Sequence, residues 1–579
     1  MHRPSDRLPA LAGLLLGLLL LQGFLPGCSS DSTDSGWSEA PLAPPGKPAG
    51  KVFVIGVDGM EWKVLRPLLA AGKCPNLRAL MERGSFGQIL TIDPTLSPII
   101  WTTIATGRMP KAHLIHNFLD EQGKEYTSGR RGVPAVWNIA DHYGLASDVI
   151  GWWITWPVEH IRGVMVSGTS SGALASVSWK PSLLPEGTEQ VWPVALTDDI
   201  MAVAKDAGGE DKVRSLARER IFGAVPADLL DAEQKELEQS TLWSIQSDLT
   251  FDSIARRVFK EHPAQLNMVY FGGTDVTSHR YWRQYEPDKY AWHGNEAVDA
   301  ALAHVVPNYY EWIDELIGGL VEAAGPAANV LVMSDHGFHA IHTDKPPGRK
   351  DRGMTGHHDG APPGVLIAAG PDFVKLPQCD VDGFVQSGAL AKLATVADIA
   401  PTLLALLGIP AAHDMVGRAV APLLAPGPAR DNAALPLVDS HDNGFRAPVA
   451  QALPAEMGES FKQRFGELGY LDGNGGQSAE PRIVVPPAAT SSHSVQGVVV
   501  DAVTGRPVPR FSLTLAGSNG SVQRGEGEHP AGRFASDMSD DAPCAVTIDA
   551  AGYESETKEH IVPSSTATAP LQFRLKPKG

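Results

Sequence analysis

The chain has 579 residues, 43% hydrophobic and 20% charged, and its 66 Asp and Glu outweigh 48 Lys and Arg to give a formal net charge of −18. A single hydrophobic core stops growing at roughly 250–300 residues, so two folded units with linkers are expected, and this apolar content excludes a globally disordered chain. The acidic residues are spread along the sequence, which excludes a general affinity for nucleic-acid phosphates and leaves any anionic substrate in need of a local cationic site.

Taken in chain order, Arg3 and Arg7 precede an apolar run from Ala10 to Leu21. The run is too short for a span of ~20 residues but suits the core of an export signal. It closes on Leu25-Pro26-Gly27-Cys28, which resembles the lipobox of bacterial lipoproteins. That resemblance implies cleavage before Cys28, lipidation of its thiol, and, with Ser29 and Ser30 following, an envelope location at the outer membrane facing the periplasm or the cell surface. An ordinary cleaved signal or an uncleaved anchor, with a chance Cys, is the alternative. The other cysteines, Cys74, Cys379 and Cys544, have no zinc-ribbon or redox spacing, so no disulfide framework is expected. Ser29 to Gly50, rich in Ser, Pro, Gly and Ala, reads as a flexible tether.

Folded sequence starts at Lys51. Val52 to Val57 is a continuous apolar run ending at Asp58-Gly59, and Leu266 to Phe271, Asn329 to Ser334 and Val365 to Ala369 repeat the pattern. Short β-branched runs without alternation are strands buried on both faces. Helical spacing over Glu61 to Ala71, Asn76 to Arg83, Asn295 to Ala324 and Thr395 to Leu407 alternates with them. The α/β fold predicted is a three-layer sandwich with a mostly parallel central sheet over residues 51–473, whose catalytic groups sit at the carboxyl ends of the strands. Asp206 to Gln239 has helical composition without a preceding strand and reads as an inserted helical cap, about residues 195–245.

Asn474 to Ser494 form a second linker. Beyond it Val495 to Asp501, Arg510 to Ala516, Cys544 to Ile548 and Leu571 to Leu575 are short strand-like runs between turn residues, which predicts a small all-β sandwich over residues 495–579. The string GVVVDAVTGRPVPRFSLTL with Gly532-Arg533-Phe534 and Ala551-Gly552-Tyr553 resembles the carboxypeptidase regulatory-like domain. It holds no cluster of ligands or nucleophiles, so a spacer or a contact with an envelope partner is its expected role.

Five strings far apart carry the chemistry: Val57-Asp58-Gly59; Thr95-Leu96-Ser97-Pro98 with Trp101-Thr102-Thr103 and Thr106-Gly107; Gly273-Thr274-Asp275 through His279; Ser334-Asp335-His336-Gly337-Phe338; and Gly356-His357-His358-Asp359. Ser97 before Pro98 reads as a helix N-cap whose hydroxyl sits where backbone N–H groups favour an anion. Asp275 and His279, four residues apart, can aim at one point. Asp and His are the oxygen and nitrogen ligands that zinc or a similar divalent ion accepts. Singly, each string is as well explained by a hydrogen-bonded turn.

Together, with PNLRALMERG, TTIATGRMP, VADIAPTLLALLGIP and GELGYL, they resemble the alkaline phosphatase superfamily over roughly Lys51 to Leu471, and within it the type I phosphodiesterase and nucleotide pyrophosphatase branch. The resemblance implies two divalent metal ions, zinc or manganese. Asp58, Asp335, His336 and the nucleophile Ser97 would hold one, and Asp275, His279 and His358 the other. Thr95 is an alternative to Ser97, and His357 to His358. A phosphate-binding Asn of nucleotide pyrophosphatases would align near Phe118, one position after Asn117, and His113-Leu114-Ile115 replaces the usual His-Gly-Ile. Arg108, Lys345, Arg349 and Arg352 are candidates for phosphate contacts. His339 and His342 read as supporting or surface residues.

The function implied is hydrolysis of phosphate esters through a covalent phospho-Ser. A phosphomonoesterase of the same superfamily remains an alternative, as does a non-catalytic envelope-binding lipoprotein. No stable complex with nucleic acid is expected. A sulfatase is excluded, because Ser97-Pro98 runs into Ile99-Ile100 and lacks the Cys/Ser-x-Pro-x-Arg string that makes a formylglycine nucleophile.

Overall fold

In a computed structural model of the chain, the residues described are 36–37, 40–168, 189–223, 225, 229–230, 232–262, 264–347, 354–360, 362–449, 462, 466, 482–483, 494–504, 506–517, 522–528, 533–537, 543–562 and 571–578. The export signal and Cys28, together with Arg349 and Arg352, lie outside the described residues, and no described helix is long and apolar enough to cross a membrane.

The N-terminal region is built on nine strands: β1 (Val52–Val57), β2 (Ser85–Leu90), β3 (Ser147–Ile150), β4 (Met165–Val166), β5 (Val191–Trp192), β6 (Leu266–Phe271), β7 (Asn329–Met333), β10 (Gly364–Ala369) and β11 (Lys392–Thr395). A two-stranded ribbon, β8 (His339–Ala340) and β9 (Gly356–His357), stands apart from that sheet. The sheet order is β11-β2-β10-β7-β1-β6-β3-β4-β5. Most neighbours are parallel, including β7-β1-β6-β3, while β10 runs antiparallel to both β7 and β2. β1 is buried at every residue, as an apolar run without alternation requires. One core lies on each face, with Phe53, Ile55 and Val57 facing one and Val52 and Val54 the other.

Helices cover both faces: α1 (Trp62–Ala70), α2 (Pro75–Arg83), α3 (Ser97–Thr106), α4 (Thr197–Ala207), α5 (Glu210–Leu216), α6 (Ala232–Glu261), α7 (Gly273–Tyr285), α8 (Val305–Ala324) and α9 (Ile399–Leu407). The helical insertion is as expected in kind, but α6 runs on to Glu261 and packs on β6 and α7, so its second half belongs to the core. The pattern from Asn295 to Ala324 splits into Glu296–Leu302 and α8, and Thr395 closes a strand rather than opening a helix.

The flexible tether is corrected in part. Gly36 bridges to Arg446, the Trp37 ring stacks on His142 at 4.2 Å, and the N–H groups of Leu42, Gly46 and Ala49 donate to the carbonyls of His142, Gly408 and Leu406. Pro41, Pro44, Pro45 and Pro48 suit an extended strap, whose long-range partners composition could not disclose. The C-terminal region forms a three-stranded and a four-stranded sheet around Val495, Val499, Leu515, Val546 and Phe573.

Candidate metal centre

The site begins with register. Val57 of β1 stands level with Phe271 of β6, and Gly56 with Met333 of β7, so three adjacent parallel strands end together. Asp58, the Gly272-Gly273 turn into α7, and Ser334-Asp335-His336 therefore leave the sheet side by side. Gly59 permits the first exit: its φ is +65°, and a Cβ there would lie 2.7 Å from the Phe338 ring and 3.0 Å from Asp275 Cα. At the third, Ser334 Oγ accepts the Met60 N–H at 2.8 Å and ties the β1 and β7 turns together.

Around Asp275 Oδ1 the imidazoles converge. His279 Nε2 lies 3.5 Å from it, and His336 Nε2 and His358 Nε2 each lie 3.9 Å away. His336 Nε2 is also 3.3 Å from both Asp58 Oδ1 and Asp335 Oδ2. The ring Nδ1 of His279 faces the Gly356 carbonyl at 2.8 Å and that of His336 the Gly337 carbonyl at 3.1 Å. Donation to those carbonyls fixes the tautomer and turns the Nε2 lone pairs toward the carboxylates.

Two groups of three donors result, Asp275-His279-His358 and Asp58-Asp275-His336, each with its ligand atoms within 4.8 Å of one another. The expected division is thus modified at one residue, since Asp275 reaches both groups. Asp335 stands beside the second through His336. All of these residues are at most 5% exposed.

Ser97 is corrected from N-cap to first helical residue. Leu96 is the N-cap of α3, and the Ser97 hydroxyl turns instead to Asp58 Oδ1 at 3.4 Å. The Thr95 hydroxyl is buried without a hydrogen bond. His357 is half-buried and its Nδ1 accepts the Asp359 N–H at 3.0 Å, whereas His358 is fully buried.

Asn117 accepts the Phe118 N–H, and Phe118 packs with Leu96, Ile99 and Val276 beside the Ser97 and Asp275 turns. Arg108 is not brought into the cluster: its guanidinium lies 2.8 Å from Asp414 and 3.1 Å from Asp442. Lys345 is exposed.

Several residues that shape the centre carry no motif. Tyr270 Oη donates to Asp58 Oδ2 at 2.6 Å and Trp101 Nε1 to the same oxygen at 3.0 Å, which leaves Oδ1 for Ser97 and His336. Asp248, deep in α6, accepts the N–H groups of Gly272 and Gly273 at 2.9 and 3.0 Å and the Tyr309 hydroxyl at 2.9 Å. A Cβ at Gly273 would collide with that Tyr309 hydroxyl. Glu61 accepts the Phe338 N–H at 3.0 Å and holds the Asp335-His336 turn. The only sequence signals were Trp101 inside a quoted string and Tyr270 near a strand end.

Electrostatics follow from burial. Burial alone would raise the Asp58 carboxyl, but the hydrogen bond and charge of His336, with Tyr270 and Trp101, hold it below its ordinary value. Burial, then the charges of Asp58 and Asp275, push Asp335 well above. Burial keeps His279 and His358 well below the usual imidazole range, so both rings are neutral. Asp248 is pushed up to about 7 by burial against its three donors.

Asp335 Oδ2 and His336 Nε2 are buried and face each other at 3.3 Å. Three carboxylates and three imidazoles packed this way form a candidate cation site whose oxygen and nitrogen donors suit a divalent ion such as zinc or manganese.

Removing the Tyr270 hydroxyl tests the alignment of Asp58. Tyr270→Phe is expected to lower kcat for diester hydrolysis by about ten- to a hundred-fold, the range for one hydrogen bond to a charged group, with KM little changed. Steady-state kinetics that match the wild type would exclude this positioning role.

A profile of the type I phosphodiesterase / nucleotide pyrophosphatase family matches residues 52–351, a span that contains every donor above except His358. No curated protein matches the chain. Among solved structures, murine ectonucleotide pyrophosphatase / phosphodiesterase 5 is 14% identical, with 65% of this chain and 100% of that chain covered and a TM-score of 0.36. Phosphonoacetate hydrolase from Sinorhizobium meliloti 1021 is 17% identical, with 54% of this chain and 59% of that one covered and a TM-score of 0.29. With more than half of its length matched by the profile, the chain belongs to the type I phosphodiesterase / nucleotide pyrophosphatase family of hydrolases, within the alkaline phosphatase superfamily.

Proposed function

We propose that the protein hydrolyses phosphodiesters with Ser97 as nucleophile, and that Asp58, Asp335 and His336 hold one divalent cation and Asp275, His279 and His358 the other. The observation that carries this reading is the convergence of six buried Asp and His donors beside one hydroxyl, with Ser97 Oγ 3.4 Å from Asp58 Oδ1. With all three carboxylates ionised, a charge of −3 meets +4 from two divalent ions, which leaves a site attractive to an anion. Bound cations would lower the pKa of the hydroxyl and offset charge on the non-bridging oxygens.

The remaining work falls to the chain. Asp58 orients the Ser97 hydroxyl at the head of α3, where backbone N–H groups favour a phosphate. Attack by Ser97 Oγ forms a bond to phosphorus as the bond to the leaving alcohol breaks. Water then cleaves the phospho-Ser. Leu96, Ile99, Phe118 and Val276 form a buried apolar cluster, and the partly buried Leu119, Trp153 and Trp243 packed against it support a diester carrying an organic substituent over a bare monoester. The Cys28 motif supports work at an envelope surface, and the C-terminal sheets support a spacer or contact role.

Purified protein loaded with zinc or manganese should cleave bis-p-nitrophenyl phosphate faster than p-nitrophenyl phosphate, and a chelator should abolish both activities. Failure to cleave either ester would leave the non-catalytic lipoprotein as the better account. Faster cleavage of the monoester would move the substrate class.

A further inference from the structure

The inner donors are enclosed, yet a divalent ion in water arrives with a hydration shell that must be replaced ligand by ligand. The β8-β9 ribbon offers donors for that exchange. His339 and His357 are directly opposite each other in its antiparallel pairing. Opposed residues point to one face, with Cβ atoms about 5 Å apart. Asp359 follows at once: its Oδ1 is 3.5 Å from His357 Nδ1, and the two side chains are 77% and 18% exposed. His357, His358 and Asp359 each place a ligand atom within 4.8 Å of the others. His339 braces the group from the opposite strand, its Nε2 donating to the Asp359 carbonyl at 2.8 Å.

From there the imidazoles continue inward. The His357 ring centroid is 4.8 Å from that of His358 and 5.3 Å from that of His279, and His358 is 4.1 Å from His336. Exposure falls along the series, from Asp359 through half-buried His357 and His339 to buried His358.

We propose that His357 and Asp359, braced by His339 across the ribbon, form an outer divalent-cation site that captures the ion from solvent and passes it to His358 and the inner centre. The inference rests on the reading of the inner cluster as a cation centre, but it concerns residues that reading does not use. An imidazole and a carboxylate suit zinc, manganese or cobalt. So few protein donors, completed by water, make a site of rapid exchange. Occupancy requires the Asp359 N–H to release His357 Nδ1, now 3.0 Å away, so capture includes a small local opening.

The test uses the whole chain, stripped of metal and titrated with Co²⁺. Loading is followed by cobalt absorbance and bound ions per chain by dialysis and elemental analysis. His357→Gln and Asp359→Asn are compared separately with the wild type, because Asp359 is exposed and its substitution leaves the interior untouched. At limiting Co²⁺ each variant should load the inner centre about ten-fold more slowly, the lower end of the usual effect of removing a residue that supports a metal site, and should lose one weakly held ion per chain. Final inner occupancy and melting temperature should be unchanged. Wild-type loading rate and stoichiometry in both variants would overturn the outer site alone. No Co²⁺ binding by any form would overturn the inner centre as well.

Discussion

Ser97→Ala is expected to lower kcat for phosphodiester hydrolysis by on the order of ten-thousand-fold, as loss of a nucleophile does when the rest of the site stays intact. The hydroxyl opens α3 and its one hydrogen-bond partner among the described residues is Asp58 Oδ1. Asp58 keeps two donors, Tyr270 and Trp101, when that hydroxyl is gone, so the centre should retain its shape and its cations. The parallel variant is Thr95→Ala, which deletes a buried hydroxyl that has no hydrogen bond. Its activity should stay within a few-fold of the wild type. Activity surviving in Ser97→Ala but lost in Thr95→Ala would reverse the assignment. Rapid quenching with a radiolabelled diester should trap label on the wild type and not on Ser97→Ala.

The strands that deliver the ligands were legible because burial on both faces leaves an unbroken apolar run. β1, β6, β7 and β10 all read that way, and each ends at a turn of unusual composition. β2 was not legible. Its SFGQIL sequence, with Gly87 and Gln88 inside it, has neither an unbroken apolar run nor clean alternation, and its strand state is imposed by pairing with β10 and β11. The five strings fixed the Asp and His donors because turns at strand ends are local.

What sequence could not show is what holds those turns. Asp248 lies 24 residues before Gly272 in the middle of a long helix, and Glu61 reaches Phe338 across 277 residues. A carboxylate in a helix is ordinarily a solvated charge, so only packing reveals either as a buried clamp. The sharing of Asp275 between two donor groups likewise depends on sub-ångström placement that no spacing encodes.

Asp335→Asn is expected to separate metal binding from folding. In the metal-free chain, burial and then the charges of Asp58 and Asp275 hold the Asp335 carboxyl well above its ordinary 3.8. The folded chain therefore keeps a proton that the unfolded chain has released, and folding loses stability as pH rises from the unfolded value through the raised folded one. His279 and His358 act in the opposite direction. Their depressed imidazoles cost stability only as pH falls below about 6.5, so above it their contribution is constant. Asn cannot ionise and can still accept the Gly59 N–H that Asp335 Oδ1 accepts at 3.3 Å. Above about pH 6.5, the melting temperature of metal-free Asp335→Asn should therefore rise relative to that of the metal-free wild type, with the gap widening as pH increases until the raised folded value is passed. Saturating zinc should reverse the order, because binding stabilises in proportion to the logarithm of ligand over Kd and the variant has lost a charged ligand. Metal content measured on the same samples should drop in the variant along with diester hydrolysis. If the two metal-free proteins melt in parallel across that pH range, the fold does not hold the Asp335 carboxyl protonated; if zinc stabilises them equally, it is not a ligand.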